Sequence, residues 1–406
     1  MSRGPESATE VELRVLAEMV ERLGPAALSA RDLLGEGRDA NRSARDRRGR
    51  HRASGKSRVG AMRALQITQW HTDPELVEVD EPHAGPGQVV VRVGGAGVCH
   101  SDLHFLGELG DLLPWPLPFT LGHENAGWVH ELGEGATGLE PGQAVAVYGA
   151  WGCGVCGRCL IGLENYCDHP ADAPLGGGLG GDGGMAEYLL VPSARHLVPL
   201  PDGLSPAQAA PLTDAGLTPY HAVRRSSTKL GPTSTAVVIG VGGLGHLAVQ
   251  ILRATTAATV VAVDVKKEAL ALADGAHHTV EAGELAAIQV RELTEGLGAD
   301  VVLDFVGSDD TLATARACVR PMGDLTIVGI AGGTLPYNFF ALPYEVSVQS
   351  VYWGSRPELV ELLALAGRGL IRPEITTFPL DRAPEAYRAL QAGTVTGRAV
   401  VVPNHA

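Results

Sequence analysis

The 406-residue sequence predicts a two-domain α/β protein: a β-rich, barrel-like domain joined to a doubly wound domain with a parallel sheet. Three observations predict it. From Met62 to about Ala210, short apolar runs are separated by Gly and Pro, the pattern of short strands and turns. From about Leu212 to Ser350, strands alternate with helical stretches, which implies parallel strands with crossover helices. A glycine turn, V-V-I-G-V-G-G-L-G over Val237–Gly245, then joins an apolar strand to a helical stretch. A chain of this length exceeds one ordinary core, so two domains are the default.

Val11 to Leu34 carries helix-like apolar spacing at Val11, Val15, Leu16, Met19 and Leu23. Arg38 to Arg58 is polar and Arg-rich. It cannot bury enough apolar surface to offset its ordering entropy and reads as a disordered linker. Residues 1–61 are thus an extension, and Met62, where M-R-A-L-Q-I-T begins to alternate as a strand, is a candidate start of the protein. A nucleic-acid-binding arm is the functional alternative, but charge runs are usually solvated. Strands follow at Gln88–Val93, Ala144–Tyr148 and Ala186–Val191. The run Gly176–Gly184 follows no strand and opens no helix, so a flexible loop is expected rather than a phosphate cradle. In the second region strands read at Ala236–Val241, Thr259–Asp264, Asp300–Val306 and Leu325–Ile330. The tail carries helices near Pro357–Arg368 and Pro384–Gln391 and a last strand at Arg398–Val402. The expected division is 62–211 with 351–406 for the first domain and 212–350 for the second.

Residues 1–61 hold 13 Lys+Arg against 9 Asp+Glu, so with a whole-chain charge of −14 the remaining chain stands at −18. An acidic body disfavours nucleic acid or an anionic membrane as partner. No stretch has the roughly 18 uncharged apolar residues of a membrane span, and the first residues lack the order of a secretory signal. A cytoplasmic protein is expected. Of six cysteines, five fall at Cys99, Cys153, Cys156, Cys159 and Cys167, with Cys318 alone. In a reducing cytosol such clusters are more often metal ligands than disulfides.

In the glycine turn, Gly240, Gly242 and Gly245 fit G-x-G-x-x-G. The first makes the tight turn, the second admits a pyrophosphate close to the backbone, and the third lets helix and strand pack. The helix N-terminus supplies N–H groups and a positive dipole to the phosphates. A second strand ends at Asp264, placed to accept hydrogen bonds from ribose hydroxyls and to repel a 2′-phosphate. NAD is therefore favoured over NADP, although Lys266 and Lys267 stand nearby. Gly243, Leu244 and Lys266 complete the candidate cofactor residues.

Cys153 to Cys167 reads C-x2-C-x2-C-x7-C. Four thiolates fill the tetrahedral shell of zinc and leave no open position, as a structural site requires. An iron–sulfur cluster is the rival, but the array lacks the short last spacer and proline of the bacterial ferredoxin run. Separately, G-V-C-H-S-D at Gly97–Asp102 and L-G-H-E at Leu121–Glu124 offer Cys99 and His123 to a second metal. On sequence alone, a buried cysteine and a satisfied core histidine are at least as good a reading of that pair.

These motifs, with P-L-T-D-A-G-L-T-P-Y at Pro211–Tyr220, stand in the order of a known family. From Met62 to its end the chain resembles the zinc-containing medium-chain dehydrogenases, and looks closest to bacterial NAD-dependent secondary alcohol dehydrogenases. The resemblance implies a GroES-like barrel, a Rossmann domain, two zinc ions per chain, NAD, and a homodimer or homotetramer. It implies a catalytic zinc on Cys99 and His123, with a third ligand where most members have cysteine and this chain has Asp214. That departure resembles a subgroup in which the aspartate itself binds zinc; an outer, orienting role is the alternative. Glu124 matches a residue that lies behind the zinc and can approach it. Asp102 is expected to orient His123, and His100 to contact cofactor phosphate. The implied reaction is reversible hydride transfer between an alcohol and NAD, Ser101 accepting the hydroxyl proton and His104 releasing it to solvent. Trp115, Phe119, Tyr352 and Trp353 are candidates for an apolar pocket suiting secondary or aromatic alcohols, or are ordinary core aromatics. A zinc-free reductase of the same superfamily would have no use for Cys99, His123 and four clustered cysteines. A non-enzymatic metal-binding module would leave the glycine turn and Asp264 unexplained.

Overall fold

Apolar residues on both faces of consecutive strands build the parallel sheet. In Thr235–Ile239, Ala236 and Val238 join one core and Val237 and Ile239 the other, all at most 2% exposed. Thr259–Asp264 divides the same way, with Val260 and Ala262 opposite Val261 and Val263. A strand buried on both faces needs helices on both, and crossover connections supply them. In this computed structural model, which describes residues 60–107, 110–174 and 176–405, Gly245–Thr255 packs on one face and Ala286–Leu293 with Asp309–Cys318 on the other. The expected helix at Val11–Leu34 and the Arg-rich run lie outside the described residues.

Six parallel strands lie side by side as His278–Glu281, Thr259–Asp264, Thr235–Ile239, Ala299–Asp304, Val319–Ile327 and Ser347–Ser350. Counted in chain order this is 3-2-1-4-5-6, the arrangement of dinucleotide-binding sheets. The order reverses at Thr235–Ile239, and the glycine turn leaves from the end of that strand. The fifth strand begins six residues before the expected Leu325, because its early part, Val319–Gly323, continues alongside Ala299.

The barrel sheet runs Leu197–Pro199, Ala144–Val147, Glu124–Leu132, Val89–Gly97, Arg398–Val402 and Ile375–Pro379, with Tyr188–Val191 also on Val89–Gly97. Its core holds Val89, Val91, Val93, Val129, Leu189 and Val401. Glu75–Asp80, Ala61–Ile67 and Phe119–Thr120 form a smaller sheet. The two domains share a core: Tyr148, Leu212 and Leu217 pack in one cluster with Leu247, Leu252 and Leu362. No helix among the described residues is long and apolar enough to cross a membrane.

The glycine run corrects one expectation. Gly176–Gly177 pairs with Gly180–Gly181, and the run seats against Thr120–His123 through Gly183 N to Thr120 O (2.8 Å) and Gly184 N to Gly122 O (2.9 Å). A Cβ at Gly178 would lie 2.5 Å from the Gly122 carbonyl carbon, so only glycine permits this approach. The run is a packed backing for the segment that carries His123.

Candidate active site and metal centres

The central strand Val89–Gly97 carries two neighbours to one point: Gly97 faces Glu124 on one side and Val400 on the other. A Cβ at Gly97 would meet Glu124 Oε2 at 1.9 Å, so glycine leaves room for that carboxylate. The chain then turns out of the sheet, and Cys99 caps the helix His100–Leu106. Donor atoms of Cys99, His123, Glu124 and Asp214 all lie within 4.8 Å of one another. Asp214 Oδ2 is 3.9 Å from Cys99 Sγ and 3.6 Å from His123 Nε2.

Each donor is held from behind. His123 Nδ1 lies 3.1 Å from Asp102 Oδ1, close enough to pair although not aligned as a hydrogen bond. The fully buried Asp102 accepts through Oδ2 from the Cys99 backbone N–H (3.3 Å) and the Tyr387 hydroxyl (2.9 Å). Asp214 ends the 3-10 turn Ala210–Thr213; its Oδ1 accepts from the Thr218 hydroxyl at 2.9 Å, which leaves Oδ2 to face Cys99 and His123. Glu124 differs. Both of its oxygens are taken by the buried Arg398 guanidinium from the last strand.

Electrostatics bear on the same point. Burial disfavours a charged His123, yet Asp102, Asp214 and Cys99 raise its pKa well above the ordinary value. Burial also opposes ionisation of Asp214, whose carboxyl His123 and Arg398 nevertheless lower to about 2. A buried focus of anionic groups favours a cation, and one sulfur, one imidazole nitrogen and one carboxylate oxygen are zinc donors. Glu124 completes the donor group but is paired with Arg398, which leaves Cys99, His123 and Asp214 as the donors with no arginine or lysine bound to them among the described residues.

Ser101 Oγ lies 3.5 Å from Cys99 Sγ, and His104 follows three residues on along the same helix. His100, exposed at the helix start, is held below its ordinary pKa by partial desolvation and by Arg398, His104 and Lys266.

At the glycine turn, Gly240 has φ +83°, and a Cβ at Gly245 would strike Gly240 O at 1.8 Å. A Cβ at Gly242 would meet nothing within 4 Å, so the side where a pyrophosphate would approach is open. Leu244 precedes the helix, and Gly243 lies beside Arg398 Nη1, 2.9 Å from where a Cβ would stand. Asp264 accepts from Val241 N (2.7 Å) and Lys266 N (2.8 Å), which sets its carboxylate beside the turn. The Lys266 ammonium donates to Gly393 O at 3.0 Å.

Cys153, Cys156, Cys159 and Cys167 form a second cluster within 4.8 Å, with Cys153–Cys159 and Cys156–Cys167 sulfur pairs each at 4.0 Å. Backbone N–H groups point at the sulfurs, Cys153 N to Cys167 Sγ (3.3 Å) and His169 N to Cys167 Sγ (3.4 Å). Those of Cys159 and Asp168 lower the Cys156 thiol to about 6. Four converging thiolates leave no open position for substrate.

The aromatic candidates separate. Phe119 lies in the barrel core at 2% exposure, edge-on to both Trp70 and Trp115, so of that pair only Trp115 remains for a pocket. The Trp353 ring sits edge-on to His123 at 5.9 Å, and its Nε1 donates to Thr213 O, next to Asp214. Tyr352 is 42% exposed beside it. Arg398, Thr218 and Tyr387 were not among the sequence candidates. A lone arginine in the apolar strand R-A-V-V-V and a threonine four residues after Asp214 were the available signals; nothing marked Tyr387.

Comparison with known proteins gives two family matches, an alcohol dehydrogenase GroES-like domain over residues 85–202 and a zinc-binding dehydrogenase domain over residues 243–368. An NAD-dependent alcohol dehydrogenase of Sulfurisphaera tokodaii is 38% identical over 84% of this chain and 100% of its own. The alcohol dehydrogenase structure from Aeropyrum pernix is 40% identical with TM-score 0.78, covering 84% of this chain and 100% of its own. An acetophenone reductase from Geotrichum candidum, solved with NAD, is 30% identical with TM-score 0.73, covering 86% of this chain and 98% of its own.

Proposed function

This chain belongs to the zinc-containing alcohol dehydrogenases of the medium-chain dehydrogenase family, and on that premise we propose that it moves hydride reversibly between a secondary or aromatic alcohol and NAD. The observation that carries the reading is the convergence of Cys99, His123 and Asp214, with the second Asp214 oxygen already held by Thr218. Zinc bound there supplies a Lewis acid for the substrate oxygen, and NAD supplies the hydride acceptor. Cys99 and Asp214 bring one negative charge each, which neutralises a dication; His123 is oriented through Asp102. Arg398 holds Glu124 back from the ligand set and presents its guanidinium beside Gly243 at the phosphate turn. Ser101 Oγ accepts the substrate hydroxyl proton as it gives up its own, and His104, three residues on, is the base whose ring nitrogen takes up the proton released and passes it to solvent. His100 and the open side of Gly242 receive the pyrophosphate, and Asp264 the ribose hydroxyls.

The substrate class rests on the apolar face of Trp353 against His123 with Tyr352 beside it, on Trp115 as a further candidate, and on the likeness to an acetophenone reductase. A panel of alcohols followed by NADH absorbance tests it. Secondary and benzylic alcohols are expected to give the highest kcat/KM; a preference for short primary alcohols would contradict the substrate class, and no NADH from any alcohol would contradict the activity.

The protein acts, on this reading, as a cytoplasmic homodimer or homotetramer. Ser347–Ser350 is an edge strand with no outer partner among the described residues. Just before it in the chain, Phe339, Phe340 and Tyr344 stand 72%, 88% and 64% exposed, and the Phe339 ring packs on the other two. An open strand edge flanked by exposed aromatics fits a second copy. Sedimentation is expected to give twice or four times the chain mass, and a lone monomer would contradict this.

A further inference from the structure

The spacer between Cys159 and Cys167 contains a short 3-10 turn, Glu164–Tyr166, whose three side chains reach three different elements. Glu164 meets Arg195 and His196 of the barrel, each at 3.1 Å. Tyr166 reaches His221 Nε2 at 3.2 Å. Asn165, 8% exposed, donates from Nδ2 to the Tyr352 carbonyl at 2.9 Å. Two residues on, the fully buried Tyr148 donates its hydroxyl to the Gly354 carbonyl at 2.8 Å. The carbonyls on both sides of Trp353 are therefore held from outside their own segment.

Trp353 needs holding. Its φ is +56°, a left-handed conformation that bulky residues adopt only where the surroundings over-determine it. Its indole is pinned at the far end by Thr213 O, and a Cβ at Gly149 would stand 2.4 Å from the ring. The result is a wall, Tyr352–Trp353, lying against His123. One of its two backbone anchors comes from the cysteine-rich lobe.

We infer that Asn165 is a positioning residue for the reaction: the lobe built on four cysteines fixes, through this one amide, the wall that selects the alcohol. This rests on the reading of Tyr352 and Trp353 as the substrate wall. The side chain touches no reacting atom, and its influence passes through the Tyr352 carbonyl to the Trp353 backbone.

Asn165→Ala and Asn165→Asp, made in the full zinc-loaded chain, test it. The second keeps the size but turns an acceptor towards a carbonyl. KM and kcat are measured for propan-2-ol and 1-phenylethanol, with zinc content and near-ultraviolet circular dichroism alongside. Both variants are expected to keep about two zinc ions per chain and an unchanged KM for NAD. The KM ratio of the bulky to the small alcohol should shift about tenfold, the loss expected for one buried hydrogen bond, and the tryptophan dichroism should change. Equal losses for both alcohols, an unchanged ratio, or loss of zinc from both variants would each overturn the inference. Tyr352→Ala in the same assay separates the two claims. If it leaves the ratio unmoved, the wall reading fails and takes the inference with it; if it moves the ratio while the Asn165 variants do not, only the inference fails.

Discussion

Asp214 brings a carboxylate up to Cys99 and His123, and its two oxygens have different duties. Thr218 fixes one, and the other turns to Cys99 and His123. Asp214→Ala should therefore lower zinc from about two to about one per chain and abolish turnover, sparing the four-cysteine metal. A variant that keeps both metals and its turnover would give the ligand role to another residue, Glu124 being nearest. Asp264 is also decided at this scale. Its carboxylate stands at the turn on the Val241 and Lys266 N–H groups, and on the proposed reading removing it takes away both the acceptor for ribose and the repulsion of a 2′-phosphate. Asp264→Ala is expected to narrow the NAD-over-NADP preference about tenfold or more, measured as the ratio of kcat/KM for the two coenzymes. Short motifs drew attention to Cys99, His123 and Asp214, and the structure brings the three side chains together. Tyr387 had no such motif: it lies 285 positions from Asp102 in sequence, on a helix whose pattern says only that one face is buried.

At the scale of elements, the two cysteine-bearing segments behave differently. The C-x2-C-x2-C-x7-C array converges locally, because short spacers confine three sulfurs and backbone N–H groups meet them. Cys153→Ser is expected to lose that zinc and to lower Tm, with loss of activity secondary; a variant fully metallated and as stable as the parent would contradict a structural site. The cluster of Cys99, His123, Glu124 and Asp214, with Arg398, is assembled from four places in the chain, and the sheet register brings Glu124 and Arg398 together. Gly97 opposite Glu124, with Val400 alongside, brings Arg398 to the Glu124 carboxylate. The sequence pattern foretold strands at Gln88–Val93 and Arg398–Val402, but not the reach of the first to Gly97 or the strand Glu124–Leu132. Which strands are neighbours depends on long-range pairing, which a single sequence does not encode locally. The glycine run Gly176–Gly184 was misread for a related reason. Glycine signals either freedom or close approach, and here the partner backbone at Gly122 decides for close approach.

At the scale of the molecule, the parallel sheet carries the glycine turn, and the barrel carries Cys99, His123 and the four clustered cysteines. A shared core from Tyr148 and Leu212 to Leu247 and Leu362 joins them. Arg398 joins the two halves chemically, pairing with Glu124 in the barrel and lying beside Gly243 at the turn. On the proposed function, the whole chain turns on a zinc ion at Cys99, His123 and Asp214 placed to face the nicotinamide of NAD. The most direct measurement is turnover against zinc content as metal is stripped by a chelator and then restored. NAD-dependent alcohol oxidation should fall to background as the more labile of two zinc ions leaves, and return when zinc is added back. Turnover that persists after both metals are gone would contradict the account.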